Sequence, residues 1–352
     1  MESFVDQLRI PVADEAAARR ARNRWNSIAK PVGSLGALED AIVRIAALTG
    51  DEHVDLSRRC VVVLCADNGV VAQGVSQSGA DVTLLIARNA ALGISSINKL
   101  CETARVDCIP VDMGMFERLP DCGIRDCRIA AGTADMSCRP AMTRDQALAG
   151  IRTGFELVGE LVRSGYRIVA TGEMGIGNTT TSTAMACAFT GLDPSELTGP
   201  GAGLPTEGVR HKAEVIRQAI AVNEPDPSNP LDVLNKLGGF DIAAMCGMFL
   251  GGAVHRVPIV IDGFISTVAA YCAWRMRPES NVAFLASHLS AEPAAGILLE
   301  RMDLSPVIHA GMRLGEGTGA VCLLPLLDMA LNLYTTGPTF ADCGITSYKV
   351  GA

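Results

Sequence analysis

Short apolar runs alternate along the chain with longer segments of helical periodicity. Five runs are rich in β-branched residues and apolar at consecutive positions, at 60–66, 106–113, 167–171, 257–262 and 282–287. Apolar residues at consecutive positions predict strands that helices cover on both faces. The segments between the runs are long enough for crossover helices. The sequence therefore predicts an α/β fold with a mostly parallel, Rossmann-like sheet and helices on both faces.

One helix can be predicted together with both of its ends. Its apolar face recurs at spacings of three and four residues, at Leu148, Ile151, Phe155, Val158 and Val162. Thr143 and Gln146 form a capping box at its start, and Gly165 supplies the left-handed residue at its end. A strand, a glycine-rich turn and a threonine-rich helix start follow. This order predicts a βαβ unit with a ligand loop at the carboxyl end of a strand.

The two ends of the chain fall outside the strand alternation. Residues 1–25 and 295–352 look helical, so we predict a small helical subdomain from both termini beside an α/β core over 26–294. The apolar run 242–254 is shorter than the about 20 residues of a bilayer span and predicts a buried core helix. The N-terminus lacks the basic start and apolar centre of a signal peptide. We therefore expect a cytoplasmic protein with no membrane partner.

Composition excludes some classes of function. The formal net charge is −8 and aromatic residues make up 4% of the chain. Neither property suits a nucleic-acid partner, so none is expected. The 12 cysteines form no C-x-x-C pair, and the spacing of Cys122, Cys127 and Cys138 matches no zinc pattern. We predict reduced, mostly buried thiols and no metal site.

The segment 172–181, GEMGIGNTTT, has the composition of a phosphate loop. Its glycines let backbone N–H groups approach an anion, and the helix that begins near Thr179 adds its positive end and the hydroxyls of Thr179 and Thr180. No lysine follows as in a nucleotide P-loop, and the third glycine of a dinucleotide loop is missing. A phosphate repels a carboxylate, so we expect Glu173 to face a cationic or proton-bearing group. The alternative is a structural turn with a solvated glutamate.

Each of the other candidate residues has both a functional and a structural interpretation. Glu316 lies between glycines just before an apolar helix, where it is either a general base with a raised pKa or a first-turn residue that favours the helix dipole. Lys212 is an anion ligand or a surface lysine. His288 is a ligand or acid–base group, or a hydrogen-bonded structural residue. Asp67 and Asp262 end strands, where they orient sugar hydroxyls or cap the next helix.

Seven stretches together resemble one family over nearly the whole chain. They occur in the family's order and spacing: KPVGSLGALE (30–39), ADNGVVAQGVS (66–76), TGEMGIGNTTTSTA (171–184), GGFDIAAMCG (238–247), IDGFISTVAA (261–270), SHLSAEP (287–293) and RLGEGTGA (313–320). The sequence resembles the nicotinate-nucleotide:dimethylbenzimidazole phosphoribosyltransferases. The resemblance implies transfer of ribose-5-phosphate from nicotinate mononucleotide to a lower-ligand base. The products are an α-ribotide and nicotinate, for cobamide (B12) assembly, made by a dimer without a cofactor.

The same resemblance implies a role for particular residues. Glu316 matches the family's catalytic base, and Glu173 matches a second acidic residue of the active site. The donor and its phosphate are expected to bind a larger set: Gly175, Ile176, Gly177, Asn178, Thr179, Thr180, Gly201, Gly203, Lys212, Asp262 and Ser290. The acceptor base is expected to contact Ser76, Ser78, Met174, Leu314 and Gly315.

Three departures from the family pattern keep alternatives open. Asn68 replaces a histidine, Ser78-Gly79 replaces an aromatic-proline pair, and GPGAGL at 199–204 replaces GRGTGL. The first two changes are expected on the acceptor side of the site. The partner is then either an identical subunit with an aromatic base as acceptor, or a homologous subunit with a phenol as acceptor. Outside the family, the alternatives are a kinase or dehydrogenase that binds a nucleotide at 172–181, or a non-catalytic subunit, which would have lost its catalytic carboxylate.

Overall fold

A single parallel sheet forms the centre of the computed structural model, which describes residues 4–119, 122–346 and 348. The strand order is β3-β2-β1-β4-β5-β6, and every pair is parallel. The strands are β1 (Arg59–Ala66), β2 (Asp107–Gly114), β3 (Arg125–Asp126), β4 (Ile168–Met174), β5 (Ile259–Ile261) and β6 (Phe284–Ala286). All five predicted strands and the predicted fold class are confirmed. The exposed two-residue strand β3 was missed because it has no apolar run.

Thirteen helices surround the sheet within the described ranges. They are α1 (Glu15–Ser27), α2 (Ala37–Thr49), α3 (Asp81–Ala91), α4 (Ser96–Ala104), α5 (Arg144–Arg163), α6 (Asn178–Thr190), α7 (Pro194–Leu197), α8 (Thr206–Asn223), α9 (Pro230–Leu237), α10 (Phe240–His255), α11 (Phe264–Met276), α12 (Ala294–Arg301) and α13 (Thr318–Thr336). Helix α5 is the helix that was predicted with both ends. Its capping box joins Thr143 and Gln146 reciprocally, at 3.2 and 2.9 Å, and Gly165 has a φ of +90°.

The central strand β1 shows why both faces of the sheet are apolar. Alternate residues of a strand point to opposite faces. Val62 and Leu64 belong to the core that α5, α10 and α11 cover, and Val61 and Val63 belong to the core under α2, α4 and α13. All eight residues of β1 are buried. The consecutive apolar residues that predicted this strand are therefore required by helices on both sides.

Two apolar helices are part of these cores. The predicted core helix at 242–254 lies within α10, which is buried along nearly its whole length, and this prediction is confirmed. Within the described part of the chain, only α13 is long and apolar enough to cross a membrane. Half of that helix is buried, and Val321 and Leu324 pack in the core below β1 and β4. The buried part of α13 thus belongs to the core of the fold.

Helix α1 contacts the C-terminal end of α13. The guanidinium of Arg24 donates hydrogen bonds to the carbonyls of Tyr334 and Gly337, at 2.8 and 2.9 Å, and the ring of Trp25 lies 5.1 Å from that of Tyr334. Within the described residues, the first helix begins only at Glu15, and 302–317 is not helical. Because α13 also packs on the sheet, the division of the chain at 26 and 294 stays a prediction.

Candidate active site

Two adjoining cavities lie at the carboxyl ends of the strands. From β1 the chain continues to β2, the neighbouring strand in one direction, whereas β4 is the neighbour of β1 in the other direction. In open α/β sheets, ligands bind at the point where the strand order reverses in this way. The main cavity, of about 270 Å³, lies between the loop 172–178, the loop 313–316 and the residues after β5 and β6. The lysine pocket, of about 60 Å³, adjoins it and includes Lys212. Both cavities share residues 175, 176, 178, 179, 201 and 202.

Most of the predicted site residues line these cavities. The main cavity contains Glu173, Met174, Gly175, Ile176, Asn178, Thr179, Gly201, Asp262, Ser290, Ser78, Leu314, Gly315 and Glu316. The lysine pocket adds Gly177, Lys212 and Ser76. Two predicted donor residues line neither cavity. Thr180 is fully buried in the first turn of α6, and the carbonyl of Gly203 accepts a hydrogen bond from the side chain of Gln77.

The glycine-rich loop after β4 is supported from below. Gly177, with a φ of +92°, is the N-cap of α6. The hydroxyl of Thr83 accepts the N–H of Ile176 at 3.1 Å, and the amide of Asn68 donates to the Ile176 carbonyl at 3.3 Å. Asn68 is fully buried. This departure from the family pattern lies beneath the glycine loop and lines neither cavity, and its place on the acceptor side stays a prediction.

The lysine pocket has the features of an anion site. The Lys212 side chain is fully buried, so the alternative of a surface lysine is wrong. Its Nζ donates to the hydroxyl of Thr179 at 2.8 Å. Burial lowers the pKa of Lys212 to about 8, and the nearby Glu292 acts in the opposite direction. A buried cation beside the N-terminus of α6 and its glycine loop is a suitable place for a phosphate.

Glu292 holds the loop that closes the lysine pocket. Its Oε1 accepts the backbone N–H of Gly201 at 2.9 Å, whereas no described group pairs with its buried Oε2. Glu292 and His288 both line the main cavity. His288 was a candidate with two interpretations, whereas Glu292 was not predicted as a site residue, although the stretch SHLSAEP contains it. The buried Nδ1 of His288 lacks a partner among the described residues, so the hydrogen-bonded structural interpretation is not supported at that atom.

Glu316 lines the main cavity, and one of its carboxylate oxygens has no hydrogen-bond partner among the described residues. It is half-buried, has a φ of +60°, and its buried Oε2 has no partner in the described ranges. Burial raises its pKa above the ordinary value of 4.5 and Asp262 adds to this, while the backbone N–H of Ile97 acts in the opposite direction. A free carboxylate with a raised pKa is suited to take a proton near neutral pH.

Asp262 caps α13, the helix that follows Glu316. Its Oδ1 accepts the N–H of Ala320 at 2.9 Å, and its Oδ2 accepts that of Gly317 at 3.2 Å. Asp262 was predicted to orient a sugar hydroxyl or cap the next helix. It caps α13 and not α11, and both of its oxygens are engaged there. Asp262 therefore fixes the loop that carries Glu316.

Glu173 is buried among other carboxyl groups. Its Oε2 accepts a hydrogen bond from the amide of Asn178, and the same amide nitrogen donates to Oδ2 of Asp241 at 3.0 Å. Burial raises the pKa of Glu173 to about 8, and Asp241, Asp262 and Glu316 add to this effect. Only 7% of Glu173 is exposed, so the alternative of a solvated glutamate is wrong. Asn178 is the proton-bearing neighbour that the sequence predicted.

The two loops that carry these glutamates pack directly against each other. A Cβ on Gly172 would lie 2.6 Å from the carbonyl oxygen of Glu316, and a Cβ on Gly315 would lie 2.8 Å from Oε1 of Glu173. At Gly172 the obstacle is backbone, so a side chain does not fit there; Gly315 favours glycine because its φ is +88°. Glu173 and Glu316 therefore occupy one wall of the main cavity. In the part of the chain described, no group of three or more His, Cys, Asp and Glu residues is arranged to hold a metal ion.

Comparison with known proteins shows the family to which this site belongs. A family model described as Phosphoribosyltransferase matches residues 10–345. The nicotinate-nucleotide–dimethylbenzimidazole phosphoribosyltransferase of Ruminiclostridium cellulolyticum is 43% identical over 331 residues, 94% of each chain. The enzyme of that name from Clostridium acetobutylicum is 41% identical over 96% of each chain. The crystal structure of CobT from Thermus thermophilus matches with a TM-score of 0.89 and 36% identity, over 95% of this chain and 100% of that one. The chain therefore belongs to the nicotinate-nucleotide–dimethylbenzimidazole phosphoribosyltransferase family.

Proposed function

We propose that the protein transfers ribose-5-phosphate from nicotinate mononucleotide to dimethylbenzimidazole or a related lower-ligand base. The products are an α-ribotide and nicotinate, for assembly of the cobamide nucleotide loop. The observation that carries the proposal is that Glu316, whose Oε2 has no partner among the described residues, lines a cavity that continues into the lysine pocket. One compartment thus offers a proton acceptor and an anion site side by side. A kinase or dehydrogenase is not needed to explain the loop 172–181.

The donor is held by its phosphate in this proposal. The phosphate replaces the hydroxyl of Thr179 as a partner of Lys212 and receives N–H groups from the glycine loop at the start of α6. The sugar and the nicotinate ring then extend into the main cavity. Holding both reactants in line removes much of the entropic barrier to a reaction between two molecules.

The chemistry requires one proton acceptor. A ring nitrogen of the acceptor base attacks the anomeric carbon, and the bond from that carbon to the nicotinate nitrogen breaks. The electron pair of that bond returns to the nicotinate ring, which loses its positive charge and leaves without protonation. The acceptor base gives the proton of its other nitrogen to Glu316. Attack opposite the leaving group inverts the configuration and gives the α product.

Incubation of the purified protein with nicotinate mononucleotide and dimethylbenzimidazole tests this function. Mass detection should find the α-ribotide and free nicotinate in equal amounts. Parallel reactions with adenine and with phenol report how Ser76 and Ser78 affect the choice of acceptor, because both line the cavities. Absence of product with every acceptor, also after addition of a homologous subunit, would contradict the proposal.

We also propose that the protein works as a dimer in the cytoplasm, which the family resemblance supports. The partner is an identical or a homologous subunit. Sedimentation of the chain purified alone distinguishes them, because a fully active homodimer leaves no role for a second subunit.

A further inference from the structure

A carboxyl group that lines neither cavity shares a hydrogen-bond donor with Glu173. Asp241 lies in the first turn of α10 and is fully buried. Its Oδ2 accepts the amide of Asn178 at 3.0 Å, and that amide also donates to Glu173. One nitrogen therefore joins two buried carboxyl groups. Two buried carboxylates that share one donor cannot both ionise freely, because a charge in a buried position strongly repels a like charge beside it.

The surroundings differ between the two carboxyl groups. Asp241 lies at the N-terminus of the helix Phe240–His255, where backbone N–H groups and the helix dipole favour a negative charge. Glu173 lies near the end of a strand and has one hydrogen-bond donor, Asn178, while Asp262 and Glu316 raise its pKa from their own elements. Of the pair, Asp241 is therefore the better place for the charge and Glu173 for the proton. The pKa values agree: burial raises both, Asp241 to about 6 and Glu173 to about 8.

We propose that Asp241 is a positioning residue: its carboxylate holds the Asn178 amide against Glu173, and its charge keeps a proton on Glu173. Glu173 then faces the main cavity as a neutral hydrogen-bond donor. Of the two glutamates that line this cavity, Glu316 acts as the base. A neutral Glu173 also removes the conflict between a carboxylate and the phosphate in the adjoining pocket. This inference deepens the proposed function and rests on it where turnover rates are interpreted. The protonation state of Glu173 can be measured whether or not that function is correct.

Asp241→Asn is a mild change at this position. Asp241 Oδ1 and Asn68 Oδ1 both lack partners among the described atoms, and they lie 2.5 and 2.8 Å from one point, the place of a Cβ on Gly239. The amide nitrogen of the new side chain can take the place of Oδ1 beside Gly239, while its oxygen still accepts from Asn178. The charge is lost and the hydrogen bonds remain. We therefore expect the variant to fold.

The matched control is Asp112→Asn. Like Asp241, Asp112 is a buried aspartate whose pKa is raised by burial, but it lies in the strand β2. Its Oδ1 accepts the N–H groups of Gly114 and Met115 at 2.8 and 2.9 Å, contacts that an asparagine oxygen can keep. It lines neither cavity. Removal of its charge should leave the titration of Glu173 unchanged.

The test is infrared titration of the protonated carboxyl stretch in the full-length protein without substrate. Subtraction of the spectrum of Glu173→Gln isolates the Glu173 band, both in the wild type and in the Asp241→Asn background. The band should be present at neutral pH in the wild type and disappear near pH 8, following the pKa of about 8. In Asp241→Asn its midpoint should move to lower pH by about one unit or more, because a repelling charge is gone.

Turnover provides the second readout. At saturating donor, kcat should fall as the pH rises through the Glu173 midpoint, and this fall should move to lower pH in Asp241→Asn. Lys212 titrates in the same window, but a bound phosphate keeps it protonated, so it affects KM more than kcat. The Glu173→Gln variant should lack this fall in both backgrounds.

Two results would overturn the inference. One is a wild-type Glu173 that is already ionised at neutral pH, which the wild-type spectra alone decide. The other is an unchanged midpoint in folded Asp241→Asn. Failure of the proposed function looks different: no ribotide forms at any pH, while the infrared titration still reports on Asp241.

Discussion

The two glycine-rich loops of the site share a local pattern and use it differently. Each places a glutamate between glycines just before an apolar helix, and each helix has a glycine N-cap with positive φ, +92° at Gly177 and +88° at Gly317. Glu173 is buried against an amide and other carboxyl groups, whereas Glu316 is half-buried with one free oxygen. In the account proposed above, the environment and not the local sequence makes one glutamate a neutral hydrogen-bond donor and the other a base.

The difference also extends to how each loop is supported. Asp241 and Asn178 lie behind Glu173, and Asp262 lies behind Glu316 and caps its helix. In both loops an aspartate distant in sequence fixes the position of a glutamate. The two assemblies meet at Gly172 and Gly315, so a change in one loop affects the other. Variants of each loop can therefore show whether the two glutamates really differ.

Loss of the base should have the largest effect. In Glu316→Gln we expect kcat to fall by about 10²–10⁴-fold, because general base catalysis is worth this much. Substrate KM values should stay near those of the wild type, since the side chain keeps its shape. Steady-state kinetics with dimethylbenzimidazole measures both. Glu300→Gln, at an exposed position on α12, is the control and should be unchanged. Near-normal turnover in Glu316→Gln would contradict the assignment of Glu316 as the general base.

Displacement of the base should have the next largest effect. In Gly172→Ala the new methyl group lies 2.6 Å from the carbonyl oxygen of Glu316, so the backbone of that loop must shift. A displacement on the order of 1 Å costs about 100-fold in rate. The control is Gly296→Ala, whose methyl group meets a leucine side chain at an ordinary 3.5 Å. Equal rates in the two variants would mean that the two loops do not constrain each other.

Loss of the buried cation should mainly weaken the binding of the donor, nicotinate mononucleotide. In Lys212→Met we expect the KM for nicotinate mononucleotide to rise roughly tenfold, the value of a hydrogen bond to a charged group. The KM for the acceptor should change little, because Lys212 lies in the lysine pocket. Lys99→Met, on the exposed face of α4, serves as the control. A larger effect on the acceptor than on the donor would reverse the assignment of the two cavities.

The smallest effect concerns stability and its dependence on pH. The pKa of Glu173 rises from 4.5 to about 8 on folding, so the folded protein binds more protons than the unfolded chain between these values. Stability from this group is therefore present at low pH and lost as the pH rises through that window. Glu173→Gln cannot ionise, so its Tm advantage over the wild type should grow between about pH 5 and about pH 8. A constant difference in Tm would show that Glu173 titrates normally.

Much of the fold follows from local patterns. Consecutive apolar residues predict the strand β1, and a capping box predicts the start of α5. Both patterns lie within a few residues of the chain. The strand β3 and the burial of Lys212 do not follow from local patterns. Lys212 occurs in a helix with the charged pattern of a surface, and its burial depends on the loop near Gly201, which Glu292 holds from 91 residues away.

The site was predicted where one motif carries the residue and missed where a distant contact gives it a role. Glu316 stands out because glycines flank it. Asp241 does not, because an aspartate in the first turn of a helix is an ordinary cap, and its partner Asn178 is 63 residues away. Likewise, Thr180 was predicted by its place beside Thr179, but the turn of α6 directs it into the core.

The different roles of the two glutamates are tested most directly by two variants in one assay. Initial rates of α-ribotide formation are measured at neutral pH and saturating substrates for Glu316→Gln and Glu173→Gln. We predict that Glu173→Gln, which mimics the neutral acid, stays within about tenfold of the wild type, whereas Glu316→Gln loses at least about 100-fold. The reverse order, or equal losses, would contradict the conclusion that Glu316 is the base and Glu173 is neutral.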